Sequence, residues 1–263
     1  MRDLLTTAAD VIETDFAALQ LTIAASPAVR RASEPDATVY WSDTDLPALN
    51  TITNAHIAPQ DAAERSAELI APFITRGRPF RWVTTPRTTT PALEAALAQA
   101  GLRAREYPAM YVALGPTIDP GTPDDVFIDV AWPDGVAPVA ESILEGLGHP
   151  ASSRADRLGV LDTLDPEDNQ FFVARDMRTG KPLGAGTLHT RNDSFMVANV
   201  STVVSARGRG IGRALVATMM NRGATTGVQT ATVVSNPRAY TTYVDLGFRT
   251  QFNVVSWVWD PRV

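Results

Sequence analysis

Two periodicities organise the chain. Short β-branched runs, or apolar residues alternating with polar ones, predict strands; apolar residues returning every third or fourth position predict helices. On this basis Val126 to Ala131 is a strand, followed by helices around Val136 to Leu147 and Ser153 to Leu164. Phe171 to Asp176 and Leu183 to Thr190 are the next strands, joined by the turn Arg178-Thr179-Gly180-Lys181, and Phe195 to Val204 is another. Arg213 to Gly223 suits a helix, Gln229 to Val234 a strand, Pro237 to Leu246 a helix, and Phe248 to Trp259 one or two closing strands. Earlier, helical spacing covers Leu4 to Ile23 and Pro59 to Ile74. This mixture predicts the α/β class.

The pattern breaks at Leu114 to Asp124, where three prolines and two glycines leave little to bury. Such a stretch reads as a linker. We place the linker at residues 116–125, between an N-terminal part at 1–115 and a C-terminal part at 126–263. The two parts share an order of elements. Arg81 to Pro86, a helix from Pro91 to Ala100, Gly101-Leu102 and a strand ending near Leu114 parallel Thr232 to Pro237, a helix, Gly247-Phe248 and a terminal strand. Duplication of one unit would produce this. So would coincidence, because strand, helix, glycine and strand is a common succession.

Composition removes several function classes. The 263 residues are 44% hydrophobic and 20% charged, an ordinary globular balance. With no cysteine there are no disulfides, thiolate nucleophiles or cysteine-ligated metals. A net charge of −6 gives no global attraction to nucleic acid. No run approaches the ~20 apolar residues that span a bilayer, and no N-terminal segment has the pattern of a secretory signal, so no membrane partner and a cytoplasmic location are expected. Against this acidic background the cluster Arg207, Arg209 and Arg213 stands out as a local site for a polyanion.

That cluster lies in a glycine-rich turn. The β-branched run at Val200 to Val204 leads through Ser205-Ala206 into Arg207-Gly208-Arg209-Gly210-Ile211-Gly212, and an apolar helix opens at Ala214-Leu215-Val216. Glycines remove Cβ atoms where a ligand approaches the main chain, and the first-turn N–H groups of a helix have no internal partners. Those donors and the positive dipole end favour phosphate. The spacing is neither that of a Walker loop, which needs Gly-Lys followed by Ser or Thr, nor Gly-x-Gly-x-x-Gly. Arg207-x-x-Gly210-x-Gly212, within Val203 to Leu215, resembles the pyrophosphate loop Gln/Arg-x-x-Gly-x-Gly/Ala of the GNAT superfamily of N-acetyltransferases. The plain alternative is a strand-to-helix turn with solvent-facing arginines.

A second segment resembles the same family. Asn236-Pro237-Arg238-Ala239 through Tyr243 to Gly247-Phe248 matches Asn-x-x-Ala-x-x-x-Tyr-x-x-x-Gly-Phe in order and spacing. The resemblance covers roughly residues 125 to 260. It implies a GNAT fold, a mixed central sheet flanked by helices, with acetyl-CoA as acyl donor. It further implies that Asn236 contacts the cofactor, that main-chain groups at Thr202, Val203 and Val204 pair with the pantetheine arm and polarise the thioester carbonyl, and that Tyr243 protonates the departing thiolate. Tyr240 is expected to be structural, and the plain alternative for Tyr243 is a helix tyrosine packed against the sheet.

The sequence departs from the family where many members carry a glutamate as base on the strand before the loop. Asn199, Ser201 and Thr202 stand there instead. His189 and Glu141 are candidates elsewhere, as is a water chain; each also has an ordinary reading as a satisfied core histidine or a solvated glutamate. More weakly, Trp82, Pro86, Gly101-Leu102 and Met110 resemble a degenerate N-terminal GNAT copy, which implies a tandem of a degenerate and an intact unit. No glycine-rich phosphate loop precedes residue 115, so this copy would buttress the other or shape its acceptor pocket. Trp257 and Trp259 share a face of the last strand and either wall that pocket or pack. The expected activity is acyl transfer from acyl-CoA to a primary amine of a small molecule or peptide. A non-catalytic acyl-CoA-binding or sensing protein is the alternative that the absent glutamate leaves open. Oligomeric state is not legible.

Overall fold

The computed structural model describes residues 7–130, 136–191 and 193–262. In chain order the strands are β1 (Arg30–Ser33), β2 (Thr38–Trp41), β3 (Thr51–Thr53), β4 (Phe80–Thr84), β5 (Arg103–Ala113), β6 (Val126–Val130), β7 (Asn169–Asp176), β8 (Pro182–Arg191), β9 (Ser194–Thr202), β10 (Thr230–Val234) and β11 (Arg249–Trp259). The helices are α1 (Ala8–Ala25), α2 (Ala62–Arg76), α3 (Pro91–Gln99), α4 (Val136–Leu147), α5 (Arg154–Asp162), α6 (Ile211–Thr225) and α7 (Tyr240–Asp245). Leu4 to Thr6 of the expected first helix, and Ala131 of the expected strand, lie outside the described residues. The expected helix at Ser153 to Leu164 begins with a 3-10 turn, as does the one at Pro237, and the end of the chain is one strand with a bulge between Thr250 and Phe252.

Among the described residues the strands form one mixed sheet in the order β1-β2-β3-β4-β11-β5-β10-β9-β8-β7-β6. Helices flank it. The order is nearly symmetric about the β11–β5 pair, with four strands on one side and five on the other, because each part of the chain lends its closing strand to the other. β5 lies between β11 and β10, and β11 lies between β4 and β5. On either side an inner parallel pair follows, β3 with β4 and β9 with β10. The β5–β11 pair runs from Tyr111 opposite Arg249 to Arg103 opposite Val258, so the exchange is the longest ladder in the sheet's centre.

Local chemistry sets the element ends. Thr7 caps α1 reciprocally with Asp10, and Thr90 caps α3, whose first residue is Pro91. α1 then crosses the sheet. Its buried Asp15 accepts from Ser194 Oγ at 2.7 Å and Thr232 Oγ1 at 2.8 Å, on β9 and β10. Ile12 and Phe16 pack with Ala109, Met196 and Val254, a small core joining residues from both ends of the chain. The linker has neither strand nor helix but is pinned to α6: Ile118 N–H donates to Asn221 Oδ1 at 2.9 Å, and Asn221 Nδ2 donates back to the Ile118 carbonyl at 2.7 Å.

Candidate active site

The site opens where two parallel strands part. β9 and β10 pair from Ser194 opposite Thr230 to Val197 opposite Val233, and β9 then runs on to Thr202 with only β8 beside it. The divergence coincides with a bulge. β8–β9 pairing shifts register between Ala185 and Thr187, and Asn199, on the bulged side, has φ of 54°. A β-bulge bends its strand and strengthens its twist. The edge of β9 that faced β10 is thereby turned toward a cleft.

The glycine loop closes one end of this cleft. Gly208 and Gly210 have φ of 78° and 79°, a left-handed conformation that L side chains rarely adopt. Gly210 is the N-cap of α6 and supplies no side chain, so the first-turn amides of the helix remain without a capping group. A Cβ at Gly212 would meet nothing nearer than Thr202 Oγ1 at 3.6 Å. Its lack of a side chain therefore serves the open space in front of α6 rather than internal packing. These amides, the helix dipole and the neighbouring arginines are what a pyrophosphate requires.

The resulting cavity, about 730 Å³, is lined by Thr202, Val204, Arg207, Gly208, Gly210, Ile211, Gly212, Arg213, Asn236 and Tyr243 among others. Two sequence-derived candidates stand apart from its wall. Val203 is buried, and its N–H is already given to the Leu183 carbonyl at 2.9 Å. Arg209 turns outward to Asp125, 2.7 Å away. The other arginines are held by main-chain oxygens: Arg207 reaches the Gly146 carbonyl at 2.9 Å, and Arg213 reaches those of Asp119 and Pro120 at 3.1 and 2.9 Å.

The opposite rim is the end of α4, which the sequence did not single out. Glu145 Oε1 accepts from Val204 N–H at 3.2 Å, so a carboxylate occupies that amide donor. Gly146 lies so close to β9 that a Cβ would come within 2.8 Å of Ser201 Cβ and 3.0 Å of the Thr202 backbone. The signal was present in Glu145-Gly146-Leu147-Gly148, two glycines at a helix end, but nothing local ties that segment to β9.

A second cavity of about 320 Å³ adjoins the first, and Leu147, Val200, Asn236, Ala239 and Tyr243 line both. Tyr243 is 4% exposed and stands edge-on to Phe248, ring centroids 5.5 Å apart. Burial pushes its phenol up from the usual tyrosine value, so it stays protonated in the working range. Tyr240, by contrast, is exposed.

His189 lines the smaller cavity and not the larger, and it also borders a third cavity of about 380 Å³ with Asp165, Asp168 and Asn169. Its Nδ1–H donates to Asn169 Oδ1, an amide oriented by Nδ2 donating to the Asp165 carbonyl at 2.8 Å. That leaves Nε2 as an acceptor, 3.1 Å from Thr187 Oγ1, whose single proton is contested by the Ala198 carbonyl, also at 3.1 Å, and which itself receives Asn199 Nδ2 at 3.1 Å. Desolvation lowers His189 to about 4, so the ring is neutral at pH 7. Glu141, the other base candidate, pairs with Arg154 at 2.8 Å on the surface and lines neither cavity. Trp257 and Trp259 do not wall the pocket. Trp257 packs in the core beside Trp82 and donates to Thr84 Oγ1 at 3.3 Å, while Ser256, on the other face, lines the smaller cavity.

A family model described as the acetyltransferase (GNAT) domain matches residues 167–250, from just before β7 to the start of β11. The fold carries this further along the chain. A GCN5-related N-acetyltransferase from Kribbella flavida superposes with a TM-score of 0.67 at 17% identity, over 97% of this chain and 96% of that one. The chain has a GNAT fold. Another GCN5-related N-acetyltransferase, from Sphaerobacter thermophilus, gives a TM-score of 0.63 at 16% identity, over 86% and 81% of the two chains. A tandem GNAT protein from the clavulanic acid biosynthesis pathway gives 0.56 at 14%, over 97% of each. No curated protein matches the chain. The matched GNAT domain contains the bulged β9, the glycine loop, α6 and Tyr243, whereas β5, which fills the gap between β10 and β11, comes from outside it. Among the described residues no helix is long and apolar enough to cross a membrane, and no cluster of His, Asp and Glu is arranged to hold a metal ion.

Proposed function

We propose that this GNAT-fold protein is an acyl-CoA-dependent N-acyltransferase, with acetyl-CoA or another small acyl-CoA in the larger cavity and a primary amine in the smaller one. The observation that carries the reading is the meeting of the two cavities at Tyr243. A thioester lying along the open edge of β9 would present its carbonyl there, with the pyrophosphate against the first turn of α6. The amine nitrogen attacks the carbonyl carbon, the C–S bond breaks, and the thiolate takes the Tyr243 proton. The tyrosinate is reprotonated by the proton that the attacking nitrogen sheds as it becomes the amide nitrogen, so no net charge is left on the protein. With no cysteine in the chain, direct attack within a ternary complex is favoured over a thiol-borne acyl intermediate.

The amine must be deprotonated before attack. Neutral His189, with Nε2 directed at Thr187 beside the bulge, is the acceptor on this side of the sheet. Its depressed basicity suits it to relaying a proton through water or Thr187 rather than to holding one. The N-terminal part acts as a degenerate GNAT-like copy. It has no phosphate loop, but Phe16, Leu19, Arg81, Val83 and Tyr107 wall the smaller cavity, which supports a role in shaping the acceptor site.

The test is acetyl-CoA binding by calorimetry together with free-thiol release across amino acids, polyamines, aminoglycosides and peptide N-termini. Binding with amine-dependent release is expected. Binding without release from any class would contradict turnover, and no binding would contradict the cleft assignment.

A further inference from the structure

The smaller cavity has an electrostatic character that transfer chemistry leaves unexplained. Arg157, on α5, is 5% exposed, and its Nε has no hydrogen-bond partner among the described residues. Its side-chain hydrogen-bond contact among the described residues is Nη2 to His149 Nδ1 at 3.4 Å. Arg81, on β4, lines the same cavity and donates to Thr51 Oγ1 at 3.1 Å. No aspartate or glutamate is among the lining residues. Two partly enclosed arginines elsewhere are paired with carboxylates: Arg65 holds Glu34, Asp36 and Glu68, and Arg175 holds Asp129. Arg157, more buried than either, is left without a carboxylate among the described residues.

Two cationic groups enclosed without a counter-ion destabilise one another. Desolvation, then the Arg81 charge, brings Arg157 down to about 10. Desolvation, then Arg157 and Arg81, brings His149 down to about 4, so the histidine stays neutral beside them. A buried unpaired charge costs several kcal/mol unless something compensates it. An anion entering the cavity would do so, and guanidinium groups match a carboxylate in shape and charge.

We propose that the acceptor is an amine that also carries a carboxylate, a small amino acid with an apolar side chain, its carboxylate held by Arg157 and Arg81. This rests on the N-acyltransferase reading and narrows its substrate class. The arginines line only the smaller cavity, whereas Tyr243 lines both, so carboxylate and amine occupy different parts of one pocket. Phe16, Leu19, Leu161, Leu164 and Met196 supply an apolar stretch of wall that takes the side chain. A cavity of about 320 Å³ is at the small end of ligand sites, which fits a single amino acid and not a folded peptide.

The test is calorimetry without acyl-CoA, so its outcome is separate from turnover. Probes are N-acetyl derivatives of leucine, methionine and phenylalanine as free acids, the same compounds as primary amides, and inorganic phosphate. At least one acid is expected to bind about 10- to 100-fold more tightly than its amide, the range for hydrogen bonds to charged groups. Arg157→Met should abolish that preference while leaving the unliganded melting temperature equal or higher, because an uncompensated charge is removed. Arg157→Lys should keep part of it. Equal binding of acid and amide, binding of no probe, or tighter binding of phosphate would overturn the proposal. So would a lower melting temperature of Arg157→Met with the preference intact, which would make Arg157 structural. Failure of the N-acyltransferase reading shows separately, as absence of acetyl-CoA binding or thiol release.

Discussion

Replacing Gly212 by aspartate separates folding from cofactor binding, because the structure assigns the two effects opposite signs. The position is the second residue of α6, has no left-handed φ, and offers a Cβ nothing nearer than 3.6 Å. An acidic residue in a first helical turn stabilises by ~0.3–1 kcal/mol through the dipole, and leaving glycine adds a few tenths more. A gain of about 1 kcal/mol corresponds to a rise of ~2–4 °C in a chain of this size. For a pyrophosphate at the same amides, one added negative charge about 5 Å away costs about 3 kcal/mol at an effective dielectric constant near 20. That is on the order of 100-fold in Kd. Thermal melting and a calorimetric CoA titration on the same sample read both numbers. Gly210→Asp is the contrasting variant: at φ of 79° it should lose stability as well as affinity. Unchanged CoA affinity in Gly212→Asp, or a fall in melting temperature alongside the affinity loss, would contradict a pyrophosphate seated at these amides.

Tyr243→Phe keeps the ring against Phe248 and removes only the hydroxyl, so stability should change by less than about 1 kcal/mol. Steady-state thiol release should fall ~10²–10⁴-fold in kcat with little change in acetyl-CoA KM; a wild-type kcat would remove the tyrosine from the proton pathway. Burial lowers both His149 and His189 to about 4, against 6.5 unfolded. The unfolded chain therefore binds more protons between those values, and stability is full above about pH 6.5 and is lost as pH falls toward 4. Linkage gives about 2 kcal/mol per histidine between pH 7 and pH 5, read as a shift in the urea midpoint. A midpoint that stays level over that interval would contradict the neutral, enclosed state of both rings. Gly146→Ala should weaken the α4–β9 contact and lower the melting temperature, since the new Cβ would come within 3.0 Å of backbone; an unchanged melt would show that α4 can withdraw freely.

The parts of the fold legible in the sequence are those that local periodicity determines. The ranges of α4, α6 and β7 to β10 follow from apolar spacing and β-branched runs, and the glycine loop is legible because its glycines and arginines are contiguous. What local pattern cannot carry is which strand lies beside which. β5 looks like the end of one unit and β11 like the end of another, yet they pair with each other and trade places, a choice made by the whole sheet. The same limit applies to the site. Arg81 and Arg157 are far apart in sequence and belong to no shared motif, and only folding encloses them together. Arg209 sits in the loop motif but finds Asp125 at the end of the linker, a partner no motif spacing announces. Glu141 and His189 are both candidate bases in the sequence, and only the folded sheet puts His189 at a cavity and Glu141 on the surface.

Direct passage of an acyl group from CoA to an amine where the two cavities meet, as proposed, is tested by a single-turnover reaction of the wild-type protein with isotopically labelled acetyl-CoA and a responsive amine, quantifying free thiol and labelled N-acetyl product in the same quenched samples. Thiol and product should appear together, one to one, with no labelled protein at any time. Thiol without N-acetyl product, label on the protein, or bound acetyl-CoA that stays intact with every amine would contradict it.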